Sequence, residues 1–138
     1  MIAVLCAVSS FGQVSDNFDD GNYTSNPTWT GSSPFIVNAL NELQLNDAVA
    51  AQSYLNTAFA STSLDNKEWN LYIKQTFAGS DNNQSRFYLS ASADGSWAYT
   101  TSGSAGISGY FLKFGEAGSA DAIKFCKDNG SGTITELA

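Results

Sequence analysis

The sequence predicts an all-β domain, a two-sheet sandwich of jelly-roll type, and three observations carry that prediction. Apolar residues recur with a period of two rather than 3.6 through most of the chain after Gln13. Clusters that form turns, such as Gly79-Ser80-Asp81-Asn82-Asn83, Asp94-Gly95 and Asn129-Gly130, separate the alternating runs. Aromatic residues reach 13% while charged residues stop at 14%, so Ser, Thr, Asn and Gly carry the polar work. Extracellular β proteins with short strands have this composition.

The first thirteen residues stand apart. Met1 to Val8 is an apolar run, and Ser9, Ser10 and Gly12 follow, as in the apolar core and cleavage region of a secretory signal peptide. No Lys or Arg precedes the run, which suggests a truncated or misassigned start. A buried first strand is the alternative for these residues. A membrane-spanning helix needs roughly 20 apolar residues, more than this run supplies. The expected organisation is a signal peptide over 1–13 and one β-sandwich domain over 14–138, with export to the exterior or surface of a bacterial cell.

The clearest strand pattern is Trp69 to Phe77, with Trp69, Leu71, Ile73 and Phe77 on one face and Asn70, Lys74 and Thr76 on the other. Arg86 to Ala91 repeats it, with Phe87 and Leu89 expected inward and Arg86, Tyr88 and Ser90 outward. The polar cluster over 79–83 makes these two runs a hairpin. Tyr110, Leu112 and Phe114 share a face opposite Phe111 and Lys113, and Ile123 and Phe125 alternate with Lys124. Further strands are expected at Phe35–Val37, Glu42–Asn46, Ser53–Phe59 and Thr133–Leu137. Residues 47–60 are Ala-rich enough to read as helix, but Val49, Tyr54, Thr57 and Phe59 favour strand. About nine or ten strands in one domain fit a sandwich, and the long connection 93–108 suits a jelly roll.

Several chemistries are excluded by the residues themselves. The chain has no His, which removes Ser–His–Asp and Cys–His catalysis and the common zinc sites. Its net charge is −7 with one Arg and five Lys, too few cations to build a face for nucleic acid or anionic membranes. Cys126 sits in an apolar run and reads as an inert buried thiol, while Cys6 falls in the segment expected to be removed. Glu42, Glu68, Glu116 and Glu136 stand singly, whereas glycoside hydrolysis needs paired carboxyl groups. No enzymatic role is expected.

Two segments are candidates for binding. Asp16, Asp19 and Asp20 lie within five residues of one another, and hard oxygen donors suit structural Ca²⁺. A solvated acidic turn is the other reading, because the spacing is not that of an EF-hand. Trp97 and Tyr99 sit in a loop of small residues, and Tyr88 and Arg86 fall on the expected solvent face. Exposed aromatic rings stack on sugars, so Trp97, Tyr99, Tyr88 and Arg86 are the candidate ligand residues. Trp97 and Tyr99 could instead cap the core, and Trp29 reads as core.

The run Asp16-Asn17-Phe18-Asp19-Asp20-Gly21-Asn22-Tyr23-Thr24, then Asn26 to Gly31, resembles the opening of a bacterial concanavalin A-like, laminin-G-like jelly roll. Residues 109–116 and 121–125 are similar to a later strand pair of that module. Such modules resemble the N-terminal domains of large secreted proteins that also carry lamin-tail and sorting domains. The resemblance implies a secreted or cell-surface binding or adhesion module without catalysis, and it carries over no ligand residue. The expected function is recognition of carbohydrate or a cell-surface glycan polymer; the alternative is a structural or adhesion spacer of a larger secreted protein. The end at Thr133–Ala138 suggests an incomplete domain. An exposed edge and apolar patch are therefore expected near Ile123, Phe125, Ile134 and Leu137, to be covered by downstream domains or self-association.

Overall fold

A computed structural model describes residues 14–59, 61, 63–76, 78–93, 99–100, 103–116, 118 and 122–138. The chain is all-β, as the alternation predicts, and its sheets are antiparallel throughout. No helix occurs among the described residues. The fold divides into two compact units, Met1–Lys67 and Glu68–Ala138.

The first unit holds four short strands: β1 (Trp29–Gly31), β2 (Phe35–Val37), β3 (Leu43–Leu45) and β4 (Leu55–Thr57). β1 pairs with β4, setting Trp29 opposite Thr57 and Gly31 opposite Leu55. A side chain at Gly31 would meet the Tyr54 carbonyl at 2.2 Å, so glycine is what lets the two backbones close. β2 and β3 form a hairpin with Phe35 opposite Leu45. Its turn is organised by Asn38, whose Oδ1 accepts the Leu40 and Glu42 amides at 2.8 and 3.1 Å. Such Asx turns are the physical reason Asn punctuates β chains. The Ala-rich stretch contributes β4 and no helix among its described residues.

The second unit is built on one sheet in the order β5–β7–β8–β9, with β6 attached to β7. The strands are β5 (Ser85–Ala91), β6 (Tyr99–Thr100), β7 (Gly103–Phe114), β8 (Lys124–Ser131) and β9 (Ile134–Glu136). β5 and β7 pair from Ser85 opposite Phe114 to Ala91 opposite Gly109, with a bulge between Tyr88 and Ser90. A Cβ at Gly109 would lie 2.2 Å from the Ser90 carbonyl oxygen, so the bulge and the glycine are one feature.

Two sequence expectations are corrected here. Residues 69–76 form no strand, although their alternation is the cleanest in the chain, and Tyr72 is 80% exposed. Phe77 lies outside the described residues. The hairpin tip does form: Ser80 and Asn83 exchange both backbone hydrogen bonds at 3.0 Å. The second correction concerns Arg86 and Tyr88. Cross-strand register places Tyr88 opposite Phe111, Phe111 opposite Cys126, and Gly109 opposite Asp128. The supposed solvent face therefore holds three of the most buried side chains of the unit: Phe111, Cys126 and Asp128. The opposite face buries Phe114 and leaves Phe87, Tyr110, Leu112 and Phe125 half-buried. Alternation states which residues share a face; it does not state which face is covered.

Candidate functional site

The buried face of the β5–β7–β8 sheet gathers the polar and aromatic groups of this unit. Three cations line up in one cross-strand row, Arg86 opposite Lys113 and Lys113 opposite Lys124. Like charges directly opposite one another are unfavourable, and each here is answered locally. The Arg86 guanidinium lies over the Phe111 ring, 5.1 Å from its centroid, and Nε donates to Gln84 Oε1 at 3.2 Å. Lys113 Nζ meets Asp81 at 3.2 Å. Lys124 Nζ sits between Glu116 at 2.6 Å and Glu136 at 2.8 Å. Hydrogen bonds to Glu116 and then Glu136 hold the Lys124 ammonium well above the usual lysine range.

The next row is aromatic. Tyr88 stacks on Phe111 with ring centroids 4.7 Å apart and planes 26° apart. Beyond it lies Asp128, whose carboxylate is fully buried. The Tyr88 hydroxyl donates to Asp128 Oδ2 at 3.2 Å, and the Gly130 amide donates to Oδ1 at 3.1 Å. Cys126 is a buried free thiol, and burial pushes its pKa up, with the Glu136 charge adding to the shift. A protonated, enclosed thiol has little nucleophilic character.

Of the four candidate ligand residues, Arg86 and Tyr88 are brought together two residues apart on β5, and both are engaged within the sheet. Trp97 lies outside the described residues. Tyr99 is placed by its backbone: β6 pairs with β7, Tyr99 opposite Ser104. Along β7, Ser104 and the Phe111 position opposite Tyr88 are separated by roughly 20 Å. The Tyr99 backbone therefore lies well along the sheet from Arg86 and Tyr88. The Tyr99 end of the sheet carries small polar groups instead. The Ser92 amide donates to the Ser108 carbonyl and the Ser108 amide donates to Ser92 Oγ, both at 2.9 Å. Asn129 Oδ1 accepts from the Ser131 amide and hydroxyl at 2.9 Å.

The acidic loop of the first unit is internally bonded. Asp16 Oδ1 accepts the Phe18 amide at 2.9 Å and Oδ2 accepts Trp29 Nε1 at 2.8 Å. Asp19 accepts Asn17 Nδ2 at 2.6 Å, and Asp20 accepts Asn22 through its amide and Nδ2 at 3.1 and 2.7 Å. No cluster of three metal-ligating side chains forms among the described residues. Phe18 adopts φ 58°, and its ring lies 6.5 Å from that of Trp29. Trp29 is half-buried and anchors this loop.

Asp128 and Phe111 were not singled out as site residues from the sequence. The signal was present in the alternation of Lys124, Cys126 and Asp128 along one strand face. Comparison with protein families, with characterised proteins and with solved structures finds no match to this chain.

Proposed function

We propose that this chain is a secreted, non-catalytic β-sandwich module of the concanavalin A-like, laminin-G-like kind that recognises carbohydrate on a bacterial cell surface. The observation that carries the reading is the pairing of β6 with the start of β7. It sets the Tyr99 backbone opposite Ser104, at the end of the sheet where Ser92, Ser108, Asn129 and Ser131 cluster. Aromatic rings supply stacking surface for a sugar, and short hydroxyl and amide side chains supply hydrogen bonds to its rim. The absence of His from the sequence and the internal use of the Tyr88–Asp128 pair speak for binding rather than catalysis.

A glycan array probed with the chain and with its Trp97→Ala variant tests the reading. Binding that Trp97→Ala reduces supports it; equal binding by both proteins, or none by either, rejects the Trp97 platform. The second reading is a structural or adhesion spacer. It is favoured by one observation: Tyr88 and Arg86 spend their aromatic and polar groups inside the sheet. Ile123 and Leu137, 62% and 49% exposed, are the apolar surface such a spacer would present to a neighbouring domain or second copy. A structural Ca²⁺ on Asp16, Asp19 and Asp20 belongs to either reading. Because a native-state ligand raises stability by mass action, a melting temperature equal in millimolar calcium and in chelator rejects a tight site.

A further inference from the structure

The sequence holds a single Asn-Gly pair, Asn129-Gly130, and the reversal from β8 to β9 surrounds it with groups that bear on its chemistry. Asn129 and Thr133 close the reversal, with the Asn129 amide donating to the Thr133 carbonyl at 3.2 Å. Inside it, three donors converge on one oxygen. Asn129 Oδ1 accepts the Ser131 amide at 2.9 Å, the Ser131 hydroxyl at 2.9 Å and the Thr133 amide at 3.3 Å. The bond to the Ser131 amide makes an Asx turn, in which a side-chain carbonyl stands in for the backbone carbonyl of a β-turn. Such a turn folds the side-chain carbonyl carbon back toward the next backbone nitrogen, here that of Gly130.

The Gly130 N–H is held as well. It donates to Asp128 Oδ1 at 3.1 Å, and Asp128 has no exposed surface. Gly130 takes φ 76°, which glycine adopts without steric cost, and no Cβ crowds its nitrogen. Asn129 is exposed, so its side-chain amide meets water. The parts of an acyl-transfer site therefore surround one carbonyl. The Gly130 nitrogen is the nucleophile, and the turn makes its attack intramolecular. Asp128 lies within hydrogen-bond reach of the proton that nitrogen must lose. The three donors face the oxygen on which negative charge develops.

We propose that Asn129 is a self-modification site, which the folded chain converts through a succinimide to aspartate or isoaspartate faster than the unfolded chain does. The Gly130 nitrogen bonds to Asn129 Cγ and gives its proton to Asp128. The tetrahedral carbon then expels Nδ2, which takes that proton from Asp128 and leaves as ammonia. Water adds to either carbonyl of the ring and breaks that carbonyl's bond to the Gly130 nitrogen. Opening at Cγ gives aspartate; opening at the backbone carbonyl gives isoaspartate. Either product sets a new carboxylate in the position opposite Ser108, and isoaspartate also lengthens the main chain there by a methylene.

The test incubates the chain at neutral pH, folded and in parallel unfolded in guanidinium chloride, and follows Asn129 by peptide mass spectrometry. Ammonia loss marks the ring, and replacement of the amide by a carboxylate marks the products. Conversion should run at least about tenfold faster in the folded chain, as a positioned base and oxyanion donors require. Equal or slower conversion in the folded chain overturns the proposal. Asp128→Asn keeps an acceptor for the Gly130 amide but removes the base. With its fold verified by circular dichroism, its ratio of folded to unfolded rates should fall by about tenfold or more; an unchanged ratio overturns the proposal. Should Asp128→Asn not fold, Ser131→Ala decides the question at an exposed position. It removes one donor to Oδ1, and the same ratio should again fall by about tenfold or more. A ratio equal to that of the wild-type chain overturns the proposal.

Discussion

Replacing Tyr88 by Phe isolates one interaction at the centre of the second unit. The ring stays, and with it the stack on Phe111 at 4.7 Å, which contributes about 0.5–1.5 kcal/mol beyond area burial. What disappears is the hydroxyl that donates to Asp128 Oδ2 at 3.2 Å. Asp128 has no exposed surface, so the lost bond is not replaced by bulk water without opening the sheet. Hydrogen bonds to charged groups contribute about 1.5–3 kcal/mol. The O···O distance is longer than the usual 2.7–2.8 Å of such bonds, so the lower end applies. Tyr88→Phe should cost about 1.5 kcal/mol, and Tyr88→Ala about 3 kcal/mol once the half-buried ring is lost as well. Urea unfolding measures both, provided the slope is unchanged between variants. A Tyr88→Phe cost below about 0.5 kcal/mol at constant slope would refute the reasoning. It would mean that the carboxylate is solvated and the face it occupies is not enclosed.

Four further outcomes are expected. Gly109→Ala drives a methyl into the Ser90 carbonyl at the β5–β7 bulge and should cost about 1–3 kcal/mol by urea unfolding. Asp16→Ala removes the acceptor of both Trp29 Nε1 and the Phe18 amide; a loss of about 1–3 kcal/mol is expected, with a shift in tryptophan emission marking the first unit. Cys126 is held protonated by burial, so its stabilising contribution is complete below about pH 8.5, where the unfolded thiol begins to ionise. That contribution falls as pH rises from there to the raised folded value; Cys126→Ala should flatten the alkaline decline in melting temperature. Binding of a neutral glycan should change little between low and high salt, whereas strong weakening by salt would indicate an anionic ligand.

The all-β class was legible because it depends on local pattern, and most predicted strands of the described chain appear close to their expected places. Phe35–Val37 became β2 without change, and Tyr110, Leu112 and Phe114 lie in β7 on the shared face that alternation gives them. What failed was non-local. The run from Trp69 was expected to pair because its own residues suit a strand, yet residues 69–76 form no strand; alternation supplies no partner strand, and pairing is set by the rest of the fold. The Asn129-Gly130 dipeptide was read as a tight turn, and the chain does reverse between Asp128 and Ile134, but β8 also stays paired with β7 as far as Ser131. Gly130 takes φ 76° within the strand while its amide caps Asp128. The Asp94-Gly95 turn and Trp97 fall outside the described residues. The site was least legible because alternation against Phe87 and Leu89 assigned Tyr88 to the solvent face. Amphipathic side chains bury a ring and satisfy one polar tip, and the partner of that tip, Asp128, lies forty residues away.

The placement of cations bears on what kind of ligand this chain can hold. It carries six cations against thirteen carboxylates, and four of the six lie in the second unit's sheet. Lys113 and Lys124 are bound to Asp81, Glu116 and Glu136. Arg86 lies over Phe111, and Lys127 lies 5.6 Å from the Tyr110 ring centroid on the other face. These charges are all engaged within or beside the sheet. Recruiting any of them for an anionic ligand would strip a carboxylate of its partner or an aromatic ring of its cation. The remaining excess of carboxylates would repel such a ligand during approach. A neutral saccharide needs none of these cations and meets no such repulsion, and the Ser92, Ser108, Asn129 and Ser131 end of the sheet offers it hydroxyl and amide groups free of formal charge. The charge distribution and the polar end of the sheet are thus two separate supports for the proposed neutral-saccharide reading.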